Sequence, residues 1–252
     1  MTINSKKIIN GFYLKLIALI CMFFDHTASV VLNSFPEQTA FLQSLSQIFW
    51  FLGRMAFPLY CFLLVEGFLH TKNLKKYAGR LLCLAILSEI PYDLAFNDTI
   101  LEFGNNNVFF TLFLGLLLIW VVSFIEKKGI ALIAKGKNRY FIKEIGYMAV
   151  GIVLFIAVFI AIDFLKSDYG FLGLLVILAM YLLRQNVVLG AILSAVILTV
   201  LSNAPMEIAS VFSVVPIAFY NGEKGKSAKS FFYSFYPMHL LLLAILREFL
   251  LL

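Results

Sequence analysis

The chain has 252 residues, of which 62% are hydrophobic and only 13% charged, and it carries a formal charge of +6. With a mean hydropathy of +0.95, it has too little polar surface to cover a soluble globule, and composition points to a multi-spanning membrane protein. The positive balance does not imply nucleic acid, because Lys and Arg fall in short clusters between apolar runs and form no continuous basic face.

Apolar runs near 14–32, 47–70, 76–96, 107–126 and 144–165 each approach the roughly 20 residues a helix needs to cross about 30 Å of hydrocarbon. The first begins behind Lys6 and Lys7. It is long, carries Asp25 and His26 and lacks a small-residue cleavage site, so it is expected to stay as a helix. The block 170–220 is interrupted at Arg184-Gln185-Asn186 and at Ser202-Asn203-Ala204-Pro205, which predicts short segments near 170–184, 187–201 and 206–220. A last run, 231–252, brings the count to about nine. The expected fold class is therefore all-α, a polytopic transmembrane helical bundle in one domain spanning 1–252.

Charge orients the bundle. Alternating sides groups Lys6 and Lys7 with the clusters at 72–80, 127–143, Arg184 and 224–229, and leaves only Lys166 in the opposite loops. The positive-inside tendency then predicts a cytoplasmic N-terminus and, with nine spans, an external C-terminus. The polar loop 127–143 is expected to lie on the anionic inner leaflet.

Ionisable side chains inside the spans are the functional candidates. Each costs roughly 2.5–3.5 kcal/mol at the centre of a bilayer helix and persists where a cavity, a bundle interior or a partner compensates it. Asp25 and His26 fall in the outer half of the first span, Arg54 in the outer part of the second, and Glu89 and Asp93 near the outer end of the third. Glu89 and Asp93 are four residues apart and share a helix face, with Pro91 between them. Arg54 paired with Asp93 or Glu89 as an interhelical ion pair is one reading, and a functional role is the other.

His26 is the strongest catalytic candidate, since a neutral imidazole suits general base work. Asp25 points about 100° away from it around the helix, so a carboxylate orienting the ring is expected from elsewhere. A second polar layer holds Glu66, an interfacial His70, and Tyr236-Pro237-Met238-His239. His239 is divided between an interhelical hydrogen bond and a substrate contact. Asn107 sits where a helix cap is expected, Asp168-Tyr169-Gly170 opens the sixth segment, and Tyr220-Asn221-Gly222 lies in a basic inner loop that matches no Walker motif. Cys21, Cys61 and Cys83 lack metal or redox spacing and are expected to pack, and no metal site is expected.

At these residues a family becomes visible. Asp25-His26, Gly53-Arg54-Met55-Ala56-Phe57-Pro58, Glu66-Gly67-Phe68, Ser88-Glu89-Ile90-Pro91-Tyr92-Asp93, Asn107-Val108-Phe109-Phe110-Thr111, Asp168-Tyr169-Gly170, Tyr220-Asn221-Gly222 and Tyr236-Pro237-Met238-His239 together resemble the TraX family, in order along nearly the whole chain. TraX proteins are bacterial inner-membrane proteins whose named member acetylates the N-terminus of conjugative pilin. The chain is more distantly similar to the wider integral-membrane acyltransferases. What the resemblance implies is acetyl transfer from cytoplasmic acetyl-CoA, with His26 as base or transient acyl carrier and Asp25, Arg54, Glu89 and Asp93 nearby. Glu66, Asn107, Asp168, Tyr169, Asn221, Tyr236 and His239 would then contact substrate or cofactor. The acceptor would be a pilin-like peptide amine or a glycan hydroxyl.

A proton-coupled transporter or a non-catalytic subunit of pilus or conjugation machinery would also bury such charges. No inverted repeat relates the two halves of the sequence.

Overall fold

The protein is seen in a computed structural model that describes residues 8–135 and 141–251. Lys6, Lys7, Lys137 and Arg139 of the expected inner charge clusters lie outside the described residues. The helices are α1 (Gly11–Val30), α2 (Ala40–Gly53), α3 (Ala56–His70), α4 (Leu74–Phe96), α5 (Val108–Lys135), α6 (Phe141–Leu165), α7 (Gly170–Leu182), α8 (Val187–Leu201), α9 (Val214–Ala218) and α10 (Lys229–Leu251), with 3-10 turns at Leu32–Ser34 and Pro205–Ser213. Hydrocarbon offers no partner to a bare peptide group, so a membrane chain folds into elements that satisfy their own backbone. Side chains handle the helix starts: Asn10 accepts from the N–H groups of Phe12 and Tyr13, Thr39 from Leu42, Asn73 from Lys76, and Asn186 from Leu189.

Five stretches among the described residues are long and apolar enough to cross a membrane: Gly11–Ser34, Ala40–His70, Val108–Ala131, Lys143–Leu165 and Lys229–Leu251. Gly170–Leu182, Val187–Leu201 and Pro205–Ala218 are shorter apolar segments. α4 fills the expected 76–96 but carries Lys75, Lys76, Arg80, Glu89 and Asp93 and falls outside that group. On α6, Val150, Val153, Ile160 and Phe164 are exposed, as side chains are where lipid is the solvent.

Three expectations are corrected. The single helix expected at 47–70 begins at Ala40 and breaks at Arg54 and Met55, between α2 and α3. The polar loop expected at 127–143 is largely helical, since α5 runs to Lys135 and α6 starts at Phe141. The segment expected at 206–220 is a nine-residue 3-10 turn followed by the short α9. Extending α9 backwards would require Pro216 to donate an N–H to the Phe212 carbonyl, and proline has none.

α1, α3, α5, α7 and α8 meet around Leu14, Leu59, Leu116, Ile177 and Leu198, all fully buried. A second cluster, including Met22, Val30, Tyr92, Tyr236 and Leu240, joins α1 and α4 to α10. Two latches fix the ends of the bundle. Arg247 of α10 donates to the carbonyls of Ala95 (3.0 Å) and Leu94 (3.2 Å) and pairs with Asp98, so it occupies carbonyls that the end of α4 leaves without helical partners. On the opposite side, Ile9 donates to the Phe219 carbonyl at 3.0 Å and accepts from Asn221 at 2.9 Å, while Gly11 donates to Glu223 at 2.7 Å.

Asn107 fastens α4 to α5. Fully buried, it donates both amide hydrogens, one to the Ala85 carbonyl at 2.8 Å and one to Glu89 Oε2 at 2.5 Å, while its oxygen accepts from the Phe109 N–H. Asn107→Ala strands a buried carboxyl and a carbonyl, and is expected to destabilise the protein by about 1–3 kcal/mol, read as a lower thermal midpoint in detergent.

Candidate functional site

The first motif of the site lies about one turn before the end of α1. His26 Nδ1 is 2.7 Å from His239 Nε2 on α10. The two rings are within 7° of parallel with centroids 5.0 Å apart. The excess of centroid separation over nitrogen separation is taken up by the two ring radii, so the bond lies in the plane of both rings. Around the pair stand Phe96 and Tyr236, edge-on to His26, and Phe23 and Phe235 against His239. The orienting partner is thus an imidazole from another helix, where a carboxylate was expected.

Next to it is a hub on Arg54. Its guanidinium pairs with Asp25, and its Nη1 donates to Glu207 Oε1 at 3.0 Å. The Tyr169 hydroxyl lies 3.5 Å from Nη1 and donates to Glu207 at 3.3 Å. Gly53 makes this approach feasible: a Cβ there would sit 2.6 Å from Asp25 Oδ1 and 2.9 Å from its Cα. Arg54 does not pair with Glu89 or Asp93. Glu89 is bound to Asn107, and Asp93 accepts from Asn97 Nδ2 and the Glu102 N–H, closing the turn after α4. Those two acids hold the helix ends, and neither lines a cavity with His26.

The turn between α6 and α7 brings Asp168 and Tyr169 across from His26. It is clamped by Asn106, whose N–H donates to the Lys166 carbonyl and whose own carbonyl accepts from Asp168, and by Thr111, 2.6 Å from Ser167 Oγ. Tyr169 adopts a left-handed backbone (φ +58°) and stacks on Phe57 with centroids 3.8 Å apart. A bulky residue holds that conformation only where its surroundings impose it. Asp168 keeps an exposed surface on the cavity side. The mass of protein around it nevertheless pushes its carboxyl up to about 6, with Arg54 pulling it down and Asp25 and Glu207 pushing it further up.

Two cavities converge here. The smaller, about 50 Å³, is bounded by Asp25, His26, Gly53, Phe57, Asp168 and Tyr169, among others, and has room for a group of a few heavy atoms. The larger, about 750 Å³, opens among the basic residues Lys15, Lys72, Arg80, Lys224, Lys226 and Lys229, with Glu66 as its one acid. Met22, Tyr60, Phe109 and Leu112 line both, so they stand between the two.

The remaining predicted residues divide. Tyr236 lines the larger cavity, as does Glu66, which accepts from the Tyr220 hydroxyl at 3.1 Å. Asn221 folds the inner loop by bonding to Glu223. Asn107 spends both its donors on α4 and has no N–H left for a ligand. His239 is buried and lines neither cavity. Sequence reasoning missed Glu207, although an acid in an apolar segment is the same signal that exposed Asp25. It also missed Tyr60, an ordinary aromatic in an apolar run.

The sequence matches the TraX protein family over residues 10–247. It is 29% identical to the "Probable fimbrial assembly protein FimC, serogroup H1" of Dichelobacter nodosus, over 96% of this chain and 97% of that protein. No solved structure matches it.

Removing Arg54 leaves Asp25 and Glu207 close together without a cation. Arg54→Ala is expected to cost about 3–5 kcal/mol of stability, whereas Glu207→Gln keeps an oxygen for Arg54 and Tyr169 and should cost well under half as much. Thermal unfolding of the two variants in detergent checks the ranking.

Proposed function

The chain belongs to the TraX family, and we propose that it is a membrane-embedded acetyltransferase that moves an acetyl group from cytoplasmic acetyl-CoA to an amine or hydroxyl acceptor in a bacterial inner membrane. The observation that carries this reading is the pair of adjoining cavities, one broad and basic, the other small and lined by His26; in this reading their shared wall is a neck that opens between them. The larger has the size of a typical cofactor pocket. Its lysines and arginine supply charge for phosphates, and its neck leads towards the imidazole. The smaller matches the bulk of an acetyl group.

In this mechanism the CoA phosphates rest among Lys15, Lys72, Arg80, Lys224, Lys226 and Lys229, and the thioester reaches the neck. The acceptor approaches His26 from the Asp168 and Tyr169 side. As its nitrogen or oxygen attacks the acetyl carbonyl carbon, His26 takes its proton. The carbon–sulfur bond then breaks, and the proton held by His26 passes to the leaving sulfur, so that CoA departs as the free thiol and the imidazole is neutral again. Of the four side chains that line both cavities only Tyr60 carries a hydroxyl, and in this mechanism it donates to the oxyanion. Arg54 holds Asp25 and Glu207, and through Tyr169 fixes the acceptor-side wall. The name of the D. nodosus relative refers to fimbrial assembly, which favours the N-terminus of a pilin-like peptide as acceptor. It equally suits a non-catalytic assembly subunit, and catalysis decides between the two.

Purified protein in nanodiscs, given acetyl-CoA and a membrane extract containing pilin, is expected to release free CoA, and a folded His26→Ala variant is expected to release none above background. Absence of turnover by wild type would reject the enzyme reading. Lys224→Glu combined with Lys226→Glu is expected to raise KM for acetyl-CoA roughly tenfold or more, with little change in kcat and a weaker dependence of KM on salt.

A further inference from the structure

We infer that His239 is a positioning residue that holds His26 in the tautomer protonated at Nδ1, so that Nε2 is the nitrogen that receives the acceptor's proton. The catalytic half of this inference rests on the acetyltransferase reading, whereas the proton assignment rests on three neighbouring atoms. The Phe235 carbonyl has lone pairs and no proton. His239 Nδ1, 2.8 Å from it, must therefore donate. A neutral imidazole that donates from Nδ1 accepts at Nε2, and that is the atom 2.7 Å from His26 Nδ1. His26 then donates from Nδ1 and keeps a lone pair on Nε2, which has no protein partner among the described residues, on a ring that lines the smaller cavity.

Charging the pair instead would place a cation among Phe23, Phe96, Phe235 and Tyr236 with no carboxylate bonded to either ring, an expensive arrangement. The His239 ring is held against rotation, since Phe235 stacks on it at 4.9 Å and 14°, and α10 is anchored to α4 by Arg247. Buried and outside both cavities, His239 acts on the reaction only through His26.

The chain contains three histidines, so nitrogen-15 spectra of histidine-labelled protein in lipid bilayers resolve each ring once His70→Gln has removed the third. His26 and His239 are both expected to be protonated at Nδ1 and bare at Nε2. His239→Phe keeps the aromatic packing but removes the acceptor, and the His26 proton is expected to move to Nε2. His239→Gln carries its amide oxygen where Nε2 was and should preserve the tautomer; His239→Asn carries its oxygen near the Nδ1 position and should not. Acetyl transfer is expected to fall by about 10²- to 10⁴-fold in the Phe and Asn variants and by less than about tenfold in the Gln variant. A wild-type His26 protonated at Nε2, or Gln and Asn variants of equal activity, would overturn the inference. The spectra report the proton whether or not the protein transfers acetyl groups, so an inactive wild type with the expected tautomer rejects the enzyme reading and leaves the proton assignment standing.

Discussion

Arg54 is the constraint on which the rest of the site depends. A guanidinium among apolar helices needs compensating charge, and here two carboxylates supply it from places far apart in the chain: Asp25 on α1 and Glu207 in the 3-10 turn before α9. Meeting both acids ties three structural decisions together. The helix expected at 47–70 breaks beside Arg54; Gly53 stays without a side chain so that α1 can approach; and the Pro205–Ser213 segment takes a compact irregular path that turns Glu207 inward. Tyr169 closes the group from the α6–α7 turn. One half-buried cation thereby sets the relative positions of α1, α3 and two connecting segments, and His26 sits one residue beyond Asp25 on the element so fixed.

The two faces of the protein divide the labour by charge. On one side, lysines and an arginine from α1, the turn between α3 and α4, α4, and the loop leading into α10 surround a broad cavity, and the latch of Ile9 and Gly11 to the 219–223 strip holds the rim. On the other side, Asp25, Glu207 and Asp168 outnumber Arg54. An anionic donor and an acceptor bearing a proton to lose would each meet a complementary environment, and they would come together at an imidazole that neither face exposes fully.

Much of this was legible in the sequence, and the limits have physical causes. Helix extents followed from hydropathy: the expected 187–201 coincides with α8, and 76–96 lies within two residues of α4 at its start. Ionisable residues in apolar segments marked Asp25, His26, Arg54 and His239, because burying them needs a reason, while Asp168 was marked by its place at the opening of the sixth segment. Spacing along one helix shows which residues share a face, but it carries no information on which helix that face meets. That is why Arg54 was matched with Glu89 and Asp93 rather than Asp25 and Glu207. The break at Arg54 was invisible because apolar character continues across it. Glu207 was hidden by treating 206–220 as a regular span, although Pro216 argues against one.

The wall of Met22, Tyr60, Phe109 and Leu112 shared by the two cavities has a further meaning. Cavities that approach each other from opposite faces thin the insulation of a membrane whose potential the cell must preserve. Three apolar side chains and a phenol make a constriction that water wets poorly, and an ion entering it would shed its hydration without finding replacement ligands. Between cavities that open to opposite sides of a membrane, a wall of these four side chains would also keep that membrane closed to ions.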